Sequence, residues 1–246
     1  RSDLIIAGSN FIFSHINENY SEYLSEKNKF LVIFRGINTD YFDSSTTLEK
    51  DEDELFKLWE LKVGKKIVLF PGRLTTWKGQ EIFLESINKV NIQLGHDAFI
   101  AVILGSDQGR DLYKKKLMRL VEQYRLNNQV KFINHCKNMP VAYKISDIVV
   151  SASIEPEAFG RISVEAQSMQ KPILASNIGG SKETIIDNKT GILFEAGNSK
   201  DMSKKIIELL NLDESTINQM GIEGRKNVIN KFNVEKMCFS TYSEYK

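Results

Sequence analysis

Two cations and two carboxylates stand out by type and spacing. Arg73 and Lys78 lie five residues apart in Gly72-Arg73-Leu74-Thr75-Thr76-Trp77-Lys78-Gly79, ahead of a helix-like run from Gln80. A guanidinium fork and an ammonium point charge suit a diphosphate, and the positive end of the following helix adds to them. On spacing alone they also fit two ordinary solvated cations. Glu157 and Glu165 stand in Glu155-Pro156-Glu157-Ala158-Phe159-Gly160-Arg161-Ile162-Ser163-Val164-Glu165. Glu157 falls in a loop, and Glu165 about five residues inside the helix that follows, roughly 7 Å further along its axis. Gly160, at the start of that helix, lets backbone N–H groups approach a ligand closely. A carboxylate, free N–H groups and a second carboxylate then line one strip, suited to a sugar hydroxyl, a phosphate and a ribose diol.

Other segments are weaker. His135, in Asn134-His135-Cys136-Lys137-Asn138, marks a loop where a flat base could rest, although a loop histidine more often packs or hydrogen-bonds. Gly179-Gly180 reads either as an anion-cradling turn or as a tight strand-to-helix connection. There is no elbow serine, no reactive-looking cysteine and no GxxxxGK[ST] loop. A dinucleotide-dependent oxidoreductase would need a GxGxxG turn after a first strand, and none is present. His15, His96, His135 and the two cysteines, Cys136 and Cys238, share no metal-ligand spacing, so no structural metal is expected. Two distant cysteines suit reduced, buried thiols better than a disulfide framework.

The elements that must position these residues follow from the apolar pattern. Short runs rich in Ile and Val lie at Leu4–Ala7, Phe30–Phe34, Ile67–Phe70, Phe99–Leu104, Val130–Ile133, Ile148–Ser151, Pro172–Ala175 and Gly191–Phe194. They lack polar alternation, as strands buried on both faces do. Helix-period segments separate them at Asn10–Leu24, Glu52–Leu61, Gln80–Leu94, Asp111–Arg125, Pro140–Lys144, Arg161–Met169, Lys182–Asp187 and Lys200–Leu210. This alternation predicts an α/β fold, a Rossmann-like doubly wound parallel sheet. Such sheets bind ligands beyond the carboxyl ends of their strands, where the segments above fall. The polar stretch Asp43–Asp51 reads as a surface loop or linker, and the chain reads as helical from Gly224 to its end. With 41% hydrophobic and 26% charged residues the chain can bury a core, and a net charge of +1 argues against a nucleic-acid partner. The start at Arg1, directly before a strand, suggests a fragment or a processed product.

Taken together, these motifs resemble the group 1 retaining glycosyltransferases of the two-domain GT-B type. The resemblance rests on the pair Glu157 and Glu165, on Gly72-Arg73 with Lys78-Gly79, and on Gly179-Gly180 with Glu183 and Thr190-Gly191. Asp3–Ser9 is similar to the last strand of that family's acceptor domain, and Arg35–Phe42 to the hinge into the donor domain. Arg35 stands where the family usually has asparagine, and Asn134 and Asn138 replace a common glycine and aspartate. The resemblance implies an acceptor-domain remnant and hinge over 1–36, a donor-binding domain over 37–229 and a returning helix over 230–246. It implies metal-independent transfer, without a cofactor, of a sugar from a nucleotide-diphosphate donor to a hydroxyl. Arg73 and Lys78 would bind the diphosphate, Glu157 the sugar and Glu165 the ribose. Gly72, Phe159, Gly160, Arg161 and Ile162 would line the donor, with the base near His135. It implies a glycan or lipid-linked acceptor bound by a domain outside this chain, in lipopolysaccharide or other envelope-polysaccharide synthesis. The corresponding location is the cytoplasm, with peripheral association at the inner membrane face. The competing reading is a non-catalytic nucleotide-sugar binding module or regulatory subunit.

Overall fold

A computed structural model describes residues 4–24, 29–95 and 98–245. Asp3, the first residue of the segment Asp3–Ser9, and His96 lie outside the described residues. The chain opens with β1 (Leu4–Ala7), α1 (Asn10–Tyr20) and β2 (Lys29–Val32), and β1 and β2 pair in parallel as a separate two-stranded sheet. A second unit follows with α2 (Glu49–Leu58), β3 (Lys66–Pro71), α3 (Gln80–Leu94), β4 (Phe99–Leu104), α4 (Asp111–Gln123) and β5 (Val130–Ile133). It continues with α5 (Met139–Lys144), β6 (Ile148–Ser151), α6 (Arg161–Ser168), β7 (Ile173–Ser176), α7 (Ser181–Thr184), β8 (Ile192–Phe194) and α8 (Ser199–Asn211). The helices α9 (Glu214–Lys231) and α10 (Val234–Ser243) complete the described chain.

The six strands of the second unit form one parallel sheet in the order β5-β4-β3-β6-β7-β8. The chain first builds outward from β3 to β5 and then returns to place β6 on the other side of β3. The switch point, where crossovers diverge and leave a crevice, therefore lies between β3 and β6. The inner strands β3, β4, β6 and β7 are buried on both faces. Ile67 and Leu69 face one apolar cluster with α2, α5 and α6, while Val68 and Phe70 face a second one with α3, α4 and α8. That double burial is why the strands read as continuous apolar runs.

Several expectations shift. α2 starts at Glu49, so the last residues of the presumed loop are helical; Glu49, Asp51 and Glu52 sit in the first turn, where negative charge favours the helix. α9 begins at Glu214, ten residues before the helical tail expected from Gly224. That helix stops at Phe232, and Asn233 caps α10 by accepting from the Lys236 N–H at 2.7 Å. Phe232 belongs to the core, packed between Phe34 and Phe159, whereas Phe239, Tyr242 and Tyr245 are exposed. Both cysteines are free, but Cys238 is exposed and Cys136 only half-buried, contrary to the buried thiols expected. Among the described residues no helix is long and apolar enough to cross a membrane.

Candidate functional site

The loop after β3 and the loop after β6 meet at the switch point because their backbones touch. Gly79 takes φ +80°, and a Cβ there would stand 1.9 Å from the Ala152 carbonyl oxygen. The Ile154 N–H donates to the Trp77 carbonyl at 2.8 Å. These approaches fasten the short 3₁₀ turn Thr76–Lys78 onto the start of the acidic loop. Lys78 is thereby buried, with its ammonium 2.7 Å from Glu157 Oε1 and 4.5 Å from the centre of the Trp77 ring. Ser153 Oγ also donates to Glu157 Oε1. Gly72, at φ +152°, has Lys78 and Ile162 as its nearest side-chain neighbours. The cationic and acidic segments, 79 residues apart in sequence at Lys78 and Glu157, are thus one place in space.

Arg73 is exposed and makes no hydrogen bond or ion pair through its guanidinium among the described residues. Its backbone is held instead. The buried Gln80 donates from Nε2 to the Arg73 carbonyl at 2.8 Å, and the Leu74 N–H donates to Ser106 O at 3.0 Å. The loop backbone is held while the guanidinium stays at the surface without a neutralising partner, which leaves the charge available to an anion such as a diphosphate.

α6 begins at Gly160, whose φ of +84° is left-handed and which lies against Ser181. Glu165 points inward from this helix and is buried. Its Oε2 accepts from the Tyr143 hydroxyl at 2.7 Å, and its Oε1 from Arg161 Nε at 2.6 Å. Arg161 is mostly exposed, so this carboxylate joins a buried donor to a surface cation. Glu157, Ala158, Phe159, Gly160 and Arg161 line one side of a cavity of about 620 Å³ whose other side is Arg35–Asn38 with Tyr41 and Phe42. That volume suits a small-molecule ligand.

Two expected features fall elsewhere or do other work. His135 is exposed and lines a separate cavity of about 430 Å³ with Leu58, Trp59 and Cys136, so it does not share the Glu157 cavity. Gly179 and Gly180 make the tight connection that their sequence allowed. Cβ atoms there would meet the Glu157 and Phe159 backbones at 2.7 and 2.5 Å, and the Gly180 N–H donates to Glu157 O at 2.7 Å. The pair is needed for close packing that supports the acidic loop. Tyr143, Ser153 and Gln80 escaped the sequence reading. Their only signal was a polar tip within an apolar or helix-opening context, and their partners lie in other segments.

Comparison with known proteins agrees with this arrangement. Residues 51–227 match the family described as glycosyl transferases group 1. A glycosyltransferase from Rickettsia africae ESF-5 superposes with a TM-score of 0.93 at 32% identity, over 99% of this chain and 63% of that one. Anabaena Alr3699/HepE, solved with UDP and glucose, has the same fold, with a TM-score of 0.86 at 23% identity over 99% of this chain and 63% of its own. Among curated relatives, the capsular polysaccharide biosynthesis glycosyltransferase CapM of Staphylococcus aureus is 27% identical over 85% of this chain and 53% of its own length. Spore coat protein SA of Bacillus subtilis is 29% identical over 92% and 60%. The chain spans between about half and two thirds of the length of these proteins. With a cavity lined by its acidic loop, Lys78 joined to Glu157 at the switch point and a family match across most of its length, the chain belongs to the group 1 glycosyltransferases.

Proposed function

We propose that this chain binds a nucleotide-diphosphate sugar in the crevice between β3 and β6, and that the protein containing it transfers the sugar, with retained configuration, to a hydroxyl. The observation that carries the reading is the convergence of Gly72, Lys78 and Ile162 with Glu157 and the start of α6 at the switch point. In this reading Arg73 and Lys78 take the diphosphate without a metal and stabilise charge as it develops on the leaving oxygens. Lys78 would exchange part of its contact with Glu157 for phosphate, freeing that carboxylate for sugar hydroxyls. Glu165 takes the ribose diol, and backbone N–H groups at 159–161 face sugar and phosphate. No side-chain nucleophile is required, because the leaving phosphate itself takes the acceptor proton. The acceptor is a glycan or lipid-linked hydroxyl bound by a further domain, in envelope-polysaccharide synthesis of the lipopolysaccharide or capsule type, on the cytoplasmic side of the membrane. The capsular relative favours such a product class.

The test is a thermal-shift screen of UDP-, GDP- and ADP-sugars followed by titration calorimetry on the best of them. A ligand at 100 times its dissociation constant adds about 2.7 kcal/mol of stability, which a melting curve resolves. Arg73→Ala, at an exposed and unpaired position, should leave the unliganded melting temperature within about 1 °C while weakening nucleotide-diphosphate binding by roughly 10-fold. Unchanged affinity in that variant rejects the assignment.

A further inference from the structure

We infer that Tyr143 is a positioning residue for nucleotide recognition: its hydroxyl fixes the Glu165 carboxylate so that one oxygen is presented to the ribose. This rests on the ribose role proposed for Glu165. Tyr143 is fully buried on α5, with its ring edge-on to Phe42 at 6.1 Å between centroids. Its hydroxyl reaches across to α6 and donates to Glu165 Oε2 at 2.7 Å. Burial, with the neighbouring Glu165 charge, pushes the phenol pKa well above its ordinary value, so the group stays a donor. Among the described residues, the other carboxylate oxygen, Oε1, is held only by Arg161, whose side chain is mostly exposed.

The two oxygens therefore have different partners. Oε2 is tied from the protein interior by a group that cannot leave, because the ring is locked in the core. Oε1 is tied by a guanidinium that solvent already reaches and that a phosphate can draw away. A carboxylate in a helix interior is free to rotate about its last torsion, and that torsion is broad. Tyr143 removes this freedom, so a vicinal diol meets an acceptor already aligned. Preorganisation of this kind raises affinity by lowering the ordering cost of binding. It should act only on ligands that use Glu165.

The experiment measures calorimetric affinities of the wild-type chain and Tyr143→Phe for UDP and 2′,3′-dideoxy-UDP, or for the GDP or ADP pair if the screen selects another base. Phenylalanine keeps the ring and removes only the donor. The wild type should prefer the ribose form. Tyr143→Phe should lose roughly 5- to 30-fold in affinity for the ribose form and stay within about 2-fold for the dideoxy form. Equal losses for both ligands would mean a merely structural role, and an undiminished ribose preference would mean no role; either overturns the inference. A wild type without ribose preference instead overturns the Glu165 reading. If Tyr143→Phe does not fold, 3-fluorotyrosine at position 143 keeps both ring and donor but makes the phenol more acidic. The ribose affinity alone should then move, and movement in both arms or in neither sinks the proposal.

Discussion

Lysines near the centre of this molecule meet two different fates. Lys78 is buried but paired with Glu157 at 2.7 Å, so its charge is compensated within the protein. Lys171 lies at the opposite end of the sheet, just before β7, in a cavity of about 330 Å³ lined by Leu209, Leu212 and Ile217 together with Lys66, Asp147 and Glu214. Burial drives its pKa down from 10.5 to about 8, against the pull of Asp147. Below pH 8 both folded and unfolded chains carry the proton, and the folded state bears the cost of a desolvated charge. Between pH 8 and 10.5 the unfolded chain holds more protons, so stability rises with pH in that window. Lys171→Met should therefore stabilise the protein by about 1–3 kcal/mol at pH 7, in urea unfolding, with the gain shrinking at pH 10. A gain independent of pH would point to apolar packing alone.

At the scale of elements, glycines decide which segments touch. Gly79 ends the Lys78 turn in a left-handed conformation, directly against the Ala152 carbonyl. Gly79→Ala should cost about 1–3 kcal/mol in thermal unfolding and also weaken nucleoside-diphosphate binding, because the turn must lift away from the acidic loop. Loss of stability with unchanged affinity would separate the turn from the site. Glycines also explain why α9 was hard to read. Gly221 and Gly224 lower helix propensity in sequence, yet they let α9 approach α6, where Cβ atoms would meet Gln170 O at 2.4 Å and Gln167 Cγ at 3.1 Å. The central strands β3, β4, β6 and β7 were legible because they are buried on both faces. Helix ends were not: Asp213 caps α9 through the Thr216 N–H at 2.9 Å, and neither residue differs in type from those of an ordinary loop.

Across the whole molecule, the small β1–β2 unit is joined to the larger one through specific polar contacts. Glu183, on α7, accepts from the backbone N–H groups of Asn10 at 2.8 Å and Phe11 at 2.6 Å, at the start of α1. A carboxylate there satisfies helix-end donors and meets the positive end of the dipole. Ser9 Oγ donates to the Ala158 carbonyl, within the acidic loop. Gly36 passes so close to Asn233 that a Cβ would lie 2.2 Å from its carbonyl oxygen, and Val234 N–H donates to Ile37 O at 3.0 Å. Glu183→Ala should speed hydrogen exchange at Asn10 and Phe11 by an amount equivalent to about 0.5–2 kcal/mol, with β3 and β4 amides unchanged. Uniform acceleration would indicate global destabilisation instead.

The amino-acid sequence by itself determined the parallel α/β sheet and singled out the residue types of the candidate site. Double burial writes itself as unbroken apolar runs, and Arg73, Lys78, Glu157 and Glu165 are informative by type wherever they fall. Only the tertiary structure decided partnership. That Lys78 meets Glu157, that Tyr143 holds Glu165, that Gly179-Gly180 supports a loop and that His135 lines another cavity all depend on contacts between distant segments. Those contacts are set by strand order and by sub-van der Waals limits at glycine, which no local pattern encodes.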